Sequence, residues 1–330
     1  MNIQAVLRTG LARSRANARP LARPLLPGEP LRTQPPGPRV MNLHGLTRIA
    51  RPLDFGDASN LAIALIAPAT FLAVLLWPGI MGGEGAGHAW TATGEMAAAG
   101  AATGAGLAVF LAWAICRELD PDRAGAAVVA SLLAIGGLAA LGLPSIGACI
   151  LVVLAVRVLN RTTGMPATLL DGLLLLALGV WVGLDRGWLY PAAAAAALLG
   201  DSLLPAREPR RFAMALAGAA AAFGILYLLG FPDAGDDAQP SLAAGAAAVL
   251  ALLLILPTMR AISHLKSLGD AAGTPLLPMR VGAGQALALG VVVIAAVTRG
   301  FAGLTELMPL WTAVIATGLF RWLSGAGTPE

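Results

Sequence analysis

Long apolar segments, separated by short loops of charged or turn-forming residues, dominate the sequence beyond residue 53. Most of them reach about 18 residues, which is the length that an α-helix needs to cross a bilayer. Only 12% of the residues are charged, whereas soluble domains carry roughly 25%. The apolar runs are continuous and do not alternate in polarity, which argues against a transmembrane barrel. The sequence therefore predicts an all-α, polytopic transmembrane helical bundle.

Cutting the chain at charges and turn residues gives about ten spans. They cover residues 60–80, 96–116, 124–142, 146–158, 167–184, 188–204, 212–230, 242–259, 281–298 and 304–323. The fourth segment is short for a full crossing. For that reason a re-entrant hairpin, formed by the third and fourth segments around Pro144, is the alternative to two separate spans.

The basic residues orient these spans. Ten spans with both termini inside put 20 of the 22 Lys and Arg residues on the internal side, leaving Arg186 and Arg299 outside. Without the first 52 residues the count is still eleven against two. Basic loops face the cytoplasm in most membrane proteins. We therefore predict a multi-pass protein of the cell (inner) membrane, with cytoplasmic amino and carboxyl termini.

Residues 1–52 differ from the rest, because they hold nine arginines, one acid (Glu29) and many prolines. Such a composition predicts a disordered basic tail preceding a transmembrane domain over 53–330. Three interpretations stay open: an organelle transit peptide, an arm that binds anionic lipid of the bilayer, and a true translation start at Met41. The net charge of +4 is too small and too scattered after residue 52 to predict a nucleic-acid surface.

Polar side chains concentrate at the predicted cytoplasmic ends of the spans. This candidate rim cluster comprises Arg117, Glu118, Asp120, Asp122, Asn160, Arg161, Asp171 and Asp201. Carboxylates at a membrane face suit a membrane enzyme in which Mg²⁺ assists chemistry on a lipid or prenyl phosphate. The alternative is that each is a solvated turn or helix-cap residue. Outside the enzyme hypothesis the sequence predicts no metal or cofactor.

The acidic loops after the second and sixth spans are placed similarly to those of UbiA-type prenyltransferases, in a chain of similar length. The similarity is confined to residues 118–122 and 201–208. Neither loop carries the Asn-x-x-x-Asp-x-x-x-Asp or Asp-x-x-x-Asp pattern of that family. It is a similarity of placement, and the sequence is not assigned to the family.

Function is narrowed to three classes. A transporter or permease for a weakly polar or lipidic substrate is favoured, mainly because many ten-span membrane proteins are transporters. No acidic or basic residue falls near the middle of a span, which argues against a charged substrate. It predicts a membrane cavity lined by Thr103, Ser131 and Gln285. The alternatives are the lipid-phosphate enzyme and a membrane scaffold or assembly protein.

The long internal loop over residues 260–280 also predicts a short amphipathic helix over 261–268, ended by Gly269.

Overall fold

Ten α-helices, at the positions of the ten predicted segments, make up most of the described chain. The computed structural model describes residues 47–49, 55–77, 92–206, 208–229, 242–270 and 272–325. The helices are α1 (Ala58–Leu76), α2 (Ala92–Leu119), α3 (Ala124–Leu141), α4 (Ile146–Asn160), α5 (Leu169–Arg186), α6 (Leu189–Leu203), α7 (Arg210–Leu229), α8 (Leu242–Arg260), α9 (Pro278–Glu306) and α10 (Met308–Gly325). Over these ranges the chain is all-helical, without a strand beyond one isolated bridge.

Local capping explains where several helices begin and end. Asp57 accepts hydrogen bonds from main-chain N–H groups at the start of α1, and Ser145 does the same for α4. Thr168 and Asp171 form a reciprocal capping box at the start of α5, which satisfies donors that the first turn leaves free. Arg161 ends α4 in the left-handed region, with φ of 52°.

Within the described ranges, five helices are long and apolar enough to cross a membrane: α1, α2, α3, α7 and α9. Helices α4, α6 and most of α8 are apolar but shorter. The surface carries many large apolar side chains, and Leu228, Val297 and Trp181 are 78%, 72% and 66% exposed. Large exposed apolar areas mark contact with a membrane or with another protein. The architecture is compatible with an integral membrane protein.

Small residues allow the central helices to approach closely. Helix α2 packs against α1, α3, α4 and α10, while α4 also contacts α5, α6 and α9. Much of the buried core is alanine, with Ala105, Ala112 and Ala155 fully enclosed. Close contacts of this kind drive helix association in lipid, where apolar burial alone contributes little.

The helices alternate in direction, so their polar termini meet at two opposite ends of the bundle. At the first, which we call the arginine-rich end, Arg117 at the end of α2 pairs with Asp57 before α1. At the second, the Glu306 end, the main-chain N–H of Ser145 donates to the Glu306 carbonyl at 3.0 Å. Helix α4 therefore runs from the Glu306 end to the arginine-rich end.

The predicted amphipathic helix over 261–268 is wrong beyond its first turn. A 3₁₀ helix covers Ala261–His264, and the chain then leaves helical geometry. The main-chain N–H groups of Lys266 and Ser267 donate to the Asp122 carboxylate. Those groups are thus bound by a side chain and are not free to continue a helix.

Candidate functional site

Asp201 is the centre of the largest ion-pair cluster among the described residues. It lies in the last turn of α6 and is fully buried. Arg161 approaches its Oδ1 atom at 2.7 Å, Arg280 approaches the same oxygen at 2.8 Å, and Arg211 lies 3.8 Å from Oδ2. One carboxylate therefore faces three guanidinium groups from α7, α9 and the end of α4.

Three positive charges and one negative charge leave this cluster with excess positive charge, and main-chain carbonyl oxygens partly compensate for it. Arg280 donates to the main-chain oxygens of Leu159 and Pro205 at 3.0 and 2.9 Å. Arg211 donates to the oxygens of Ala167 and Thr168. Carbonyls at helix ends carry partial negative charge, and α4 and α6 both end here. The arrangement therefore ties four helices together at the arginine-rich end.

Glu118 joins the ends of α2 and α4. Its carboxylate is buried and accepts a hydrogen bond from Arg157 Nε at 2.9 Å. The Asn160 side chain donates to the Glu118 main-chain oxygen at 2.8 Å. Asn160 directly precedes Arg161 of the Asp201 cluster. Glu118 nevertheless binds a different arginine, Arg157.

Asp171 has a capping role and also holds a preceding segment. Its carboxylate accepts from the Thr168 main-chain N–H at 2.7 Å, from the Thr47 hydroxyl at 2.6 Å and from the Arg48 N–H at 3.1 Å. Thr47 and Arg48 belong to the tail predicted to be disordered. The rest of that tail, apart from Ile49, lies outside the described residues.

The loop after α2 contains two acids with different surroundings. Asp120 is buried and lies 3.6 Å from Arg321 Nε. Burial raises the pKa of its carboxyl, and the positive charges of Arg321 and Arg123 offset only part of that rise. Asp122 is exposed and binds the loop after α8. These two acids therefore hold α10 and the α8–α9 loop to α2.

The structure keeps the carboxylates of the rim cluster on separate partners. Glu118 binds Arg157, and Asp122 binds the main chain of residues 266–267. Asp171 binds the start of α5, and Asp201 binds three arginines. Within the described ranges, no three His, Cys, Asp or Glu side chains come together as a set that could hold a metal ion.

The described structure places the three candidate cavity residues in different surroundings. Thr103 is exposed on α2, and its hydroxyl donates to the Ala99 carbonyl of its own helix. Ser131 is buried in α3 and donates to the Ala127 carbonyl. Gln285 is buried at the arginine-rich end, where it donates to the Leu119 carbonyl at 2.6 Å.

An apolar groove lies elsewhere, between α5 and α7. Its volume is about 460 Å³, and it is open at the bundle surface. Leu176, Val180 and Trp181 form one wall, and Ala217 and Gly218 form the other. These residues occupy the middle of α7 and the middle and second half of α5. The groove therefore presents almost only hydrocarbon.

The Glu306 end has a smaller polar cluster. Glu306 is buried, pairs with Arg299 and lies 4.0 Å from Arg186. Arg299 also donates to the Arg186 carbonyl at 3.2 Å. Close by, α9 is interrupted at Gly300, whose φ of 54° and ψ of −129° are readily adopted only by glycine.

Several basic residues that served to predict the orientation of the chain also act as ion-pair partners of buried acids, which the sequence pattern did not predict. Arg157, Arg211, Arg280 and Arg321 each bind a buried acid. The sequence did contain a feature that indicates this role. Each of these arginines lies within about two turns of a helix end, in a chain that has few charges. Buried charges need partners, and the rim acids were the nearest available.

Comparison with known proteins assigns no activity to this arrangement. No family model, no curated protein and no solved structure matches the chain. The function proposed below therefore depends on the residues and their geometry.

Proposed function

We propose that the chain is a ten-span protein of the inner membrane, with both termini in the cytoplasm. The alternating directions of the ten helices support this, since consecutive spans must cross in opposite senses. The clustering of Arg117, Arg157, Arg161, Arg280 and Arg321 at one end supports cytoplasmic placement of that end, because basic residues accumulate on that side. Helix α4 reaches both polar ends, which favours a full crossing over a re-entrant hairpin.

The threading predicts the fate of two epitope tags. A tag after Glu330 is expected to resist protease added to intact cells, whereas a tag inserted between Asp236 and Asp237 is expected to be digested. Permeabilised cells, in which both tags are digested, provide the control. Digestion of the carboxyl-terminal tag in intact cells would place that terminus outside the cell and would contradict the ten-span topology.

We further propose that the protein binds and moves a weakly polar, lipidic substrate, as a permease does. The observation that carries this proposal is the apolar groove between α5 and α7. Its lining offers no charge to a polar solute, and its opening at the surface would face acyl chains in a membrane. Ligand sites are mostly apolar clefts of this order of volume.

The enzyme alternative receives less support from the same geometry. It requires Glu118, Asp122, Asp171 and Asp201 to share a metal and a phosphate. Each of these carboxylates is bound to other protein groups, at distances of 2.7 to 3.0 Å.

Filling the groove is expected to exclude a lipid chain. Ala217 is exposed and lines the groove, so tryptophan at this position (Ala217→Trp) enters the groove without disturbing buried contacts. We expect photo-crosslinking of α5 and α7 by a diazirine-labelled phospholipid in reconstituted vesicles to fall several-fold, because the added indole occupies most of a chain-sized space. Lipid movement between the leaflets should fall with it.

Ala220→Trp is the matched control, since Ala220 is exposed on the same helix outside the groove. It should leave both the crosslinking and the lipid movement unchanged. If α5 and α7 were crosslinked equally in wild-type protein and in Ala217→Trp, the groove would not be a lipid-binding site. The scaffold hypothesis would then be the stronger one.

A further inference from the structure

A second, polar pocket lies at the arginine-rich end, where α2, α8, α9 and α10 meet. Its polar lining comes from Asp120, Asp122, Thr258, Gln285 and Arg321. Ile262 in the 3₁₀ helix and Leu265, the residue after that helix, cover the pocket. Its volume is about 10 Å³, which is just enough for one water molecule. The pocket is distinct from the apolar groove, which is formed by α5 and α7.

Several polar atoms in this pocket lack a hydrogen-bond partner within the described part of the chain. Gln285 is 1% exposed and Thr258 is 2% exposed, yet Gln285 Oε1 and Thr258 Oγ1 have no such partner there. Gln285 cannot turn its amide nitrogen inward at no cost, because that nitrogen binds the Leu119 carbonyl. Asp120 Oδ2 lies 3.6 Å from Arg321 Nε, at ion-pair distance, and this oxygen accepts no hydrogen bond from a described residue.

Unsatisfied buried polar atoms are costly, and native proteins satisfy most of them with protein or ordered water. Convergence of two or three such atoms on one small pocket is the usual setting of a bound polar molecule. Gln285 Oε1 and Asp120 Oδ2 both accept hydrogen bonds, so the occupant must donate at least two. Arg321 balances the charge of Asp120, and the Asp122 carboxylate is already bound by the Lys266 and Ser267 N–H groups, so the closed pocket favours a neutral donor over a cation.

The cover of the pocket is held by a clasp that is itself accessible to solvent. The exposed carboxylate of Asp122 accepts from the main-chain N–H of Lys266 at 3.0 Å and from that of Ser267 at 2.8 Å. The Ser267 hydroxyl donates to the same carboxylate. Lys266 directly follows Leu265, so these bonds fix the cover over the pocket.

We infer that this pocket is a binding site for a small neutral molecule that donates hydrogen bonds, and that the Asp122 clasp controls access to it. With the cover closed the occupant is a single water molecule. With the cover released, the same lining accepts a hydroxyl compound or a primary amide, whose donors match the two acceptor oxygens.

Cysteine reactivity tests control of access. In the full-length protein in nanodiscs, Thr258→Cys is expected to react slowly with methyl methanethiosulfonate, followed by intact mass. Adding Asp122→Ala should raise the rate by at least about tenfold, because each hydrogen bond to a charged group contributes roughly that factor to the closed state. Cys116 and Cys149 are both buried and free, so wild-type protein gives the background rate.

Ser131→Cys is the matched control, because Ser131 is fully buried in α3 and does not line the pocket. Its reactivity should not respond to Asp122→Ala. An unchanged rate at Thr258→Cys would overturn the clasp, and equal acceleration at Ser131→Cys would attribute the effect to general loosening of the fold.

Two measurements test the occupant. A cryo-electron microscopy map that resolves ordered water should show a non-protein peak within hydrogen-bond distance of Gln285 Oε1, and an empty pocket in such a map would overturn occupancy. In Thr258→Cys/Asp122→Ala protein, acetamide should slow modification and methylammonium should not. Protection by methylammonium alone would overturn the neutral ligand.

Discussion

Replacing Asp201 with alanine is expected to cause the largest loss of stability of any single substitution considered. The change leaves Arg161, Arg211 and Arg280 without the carboxylate that they share, while Arg280 stays buried at 1% side-chain exposure. Removing one partner of a buried ion pair costs about 3–5 kcal/mol. The fraction of folded protein after heating in mild detergent, measured by size-exclusion chromatography, should fall sharply.

Asp185→Ala is the control for this experiment. Asp185 also pairs with an arginine, Arg186, but its side chain is 73% exposed, and exposed ion pairs contribute little. Its melting behaviour should match that of wild-type protein. Suppose instead that Asp201→Ala were as stable as wild-type protein but no longer moved lipid between the leaflets. Asp201 would then be a functional carboxylate, and the enzyme hypothesis would gain support.

Gly318→Ala is expected to have the second-largest effect. A Cβ atom at Gly318 in α10 would overlap the main-chain oxygen and carbon of Leu254 in α8. Main-chain atoms cannot rotate away as a side chain does, so the two helices would have to separate. Overpacking of a core costs about 1–3 kcal/mol, and we expect a lower melting temperature in detergent.

Gly290→Ala provides the opposite expectation on α9. A Cβ atom there meets nothing within 4 Å. Alanine in a helix interior is more stable than glycine by up to about 1 kcal/mol, so the melting temperature should stay the same or rise. Wild-type stability of Gly318→Ala would mean that α8 and α10 do not approach each other as closely as the structure places them.

The helical architecture follows from local features of the sequence. Continuous apolar runs of bilayer length predicted all ten helices, and Asp57, Ser145 and Thr168 cap three of them as side chains of their type do. The one wrong helix, over 261–268, is instructive. Its local pattern was amphipathic, but Asp122, more than 140 positions away in sequence, binds the main-chain donors of Lys266 and Ser267.

The sequence alone is enough to place each polar residue along the helix axis. Its position follows from its distance to the nearest charged loop, which is why Asp201, Arg211 and Arg280 were all predicted to lie at one end. Which of these residues meet depends on how the helices pack. Arg280 and Asp201 are 79 positions apart, and their contact depends on which helices are neighbours and how each is rotated about its axis. In a chain with so much alanine, glycine and leucine, many rotations bury similar apolar surface, so the helix neighbours and the individual ion pairs are determined by packing.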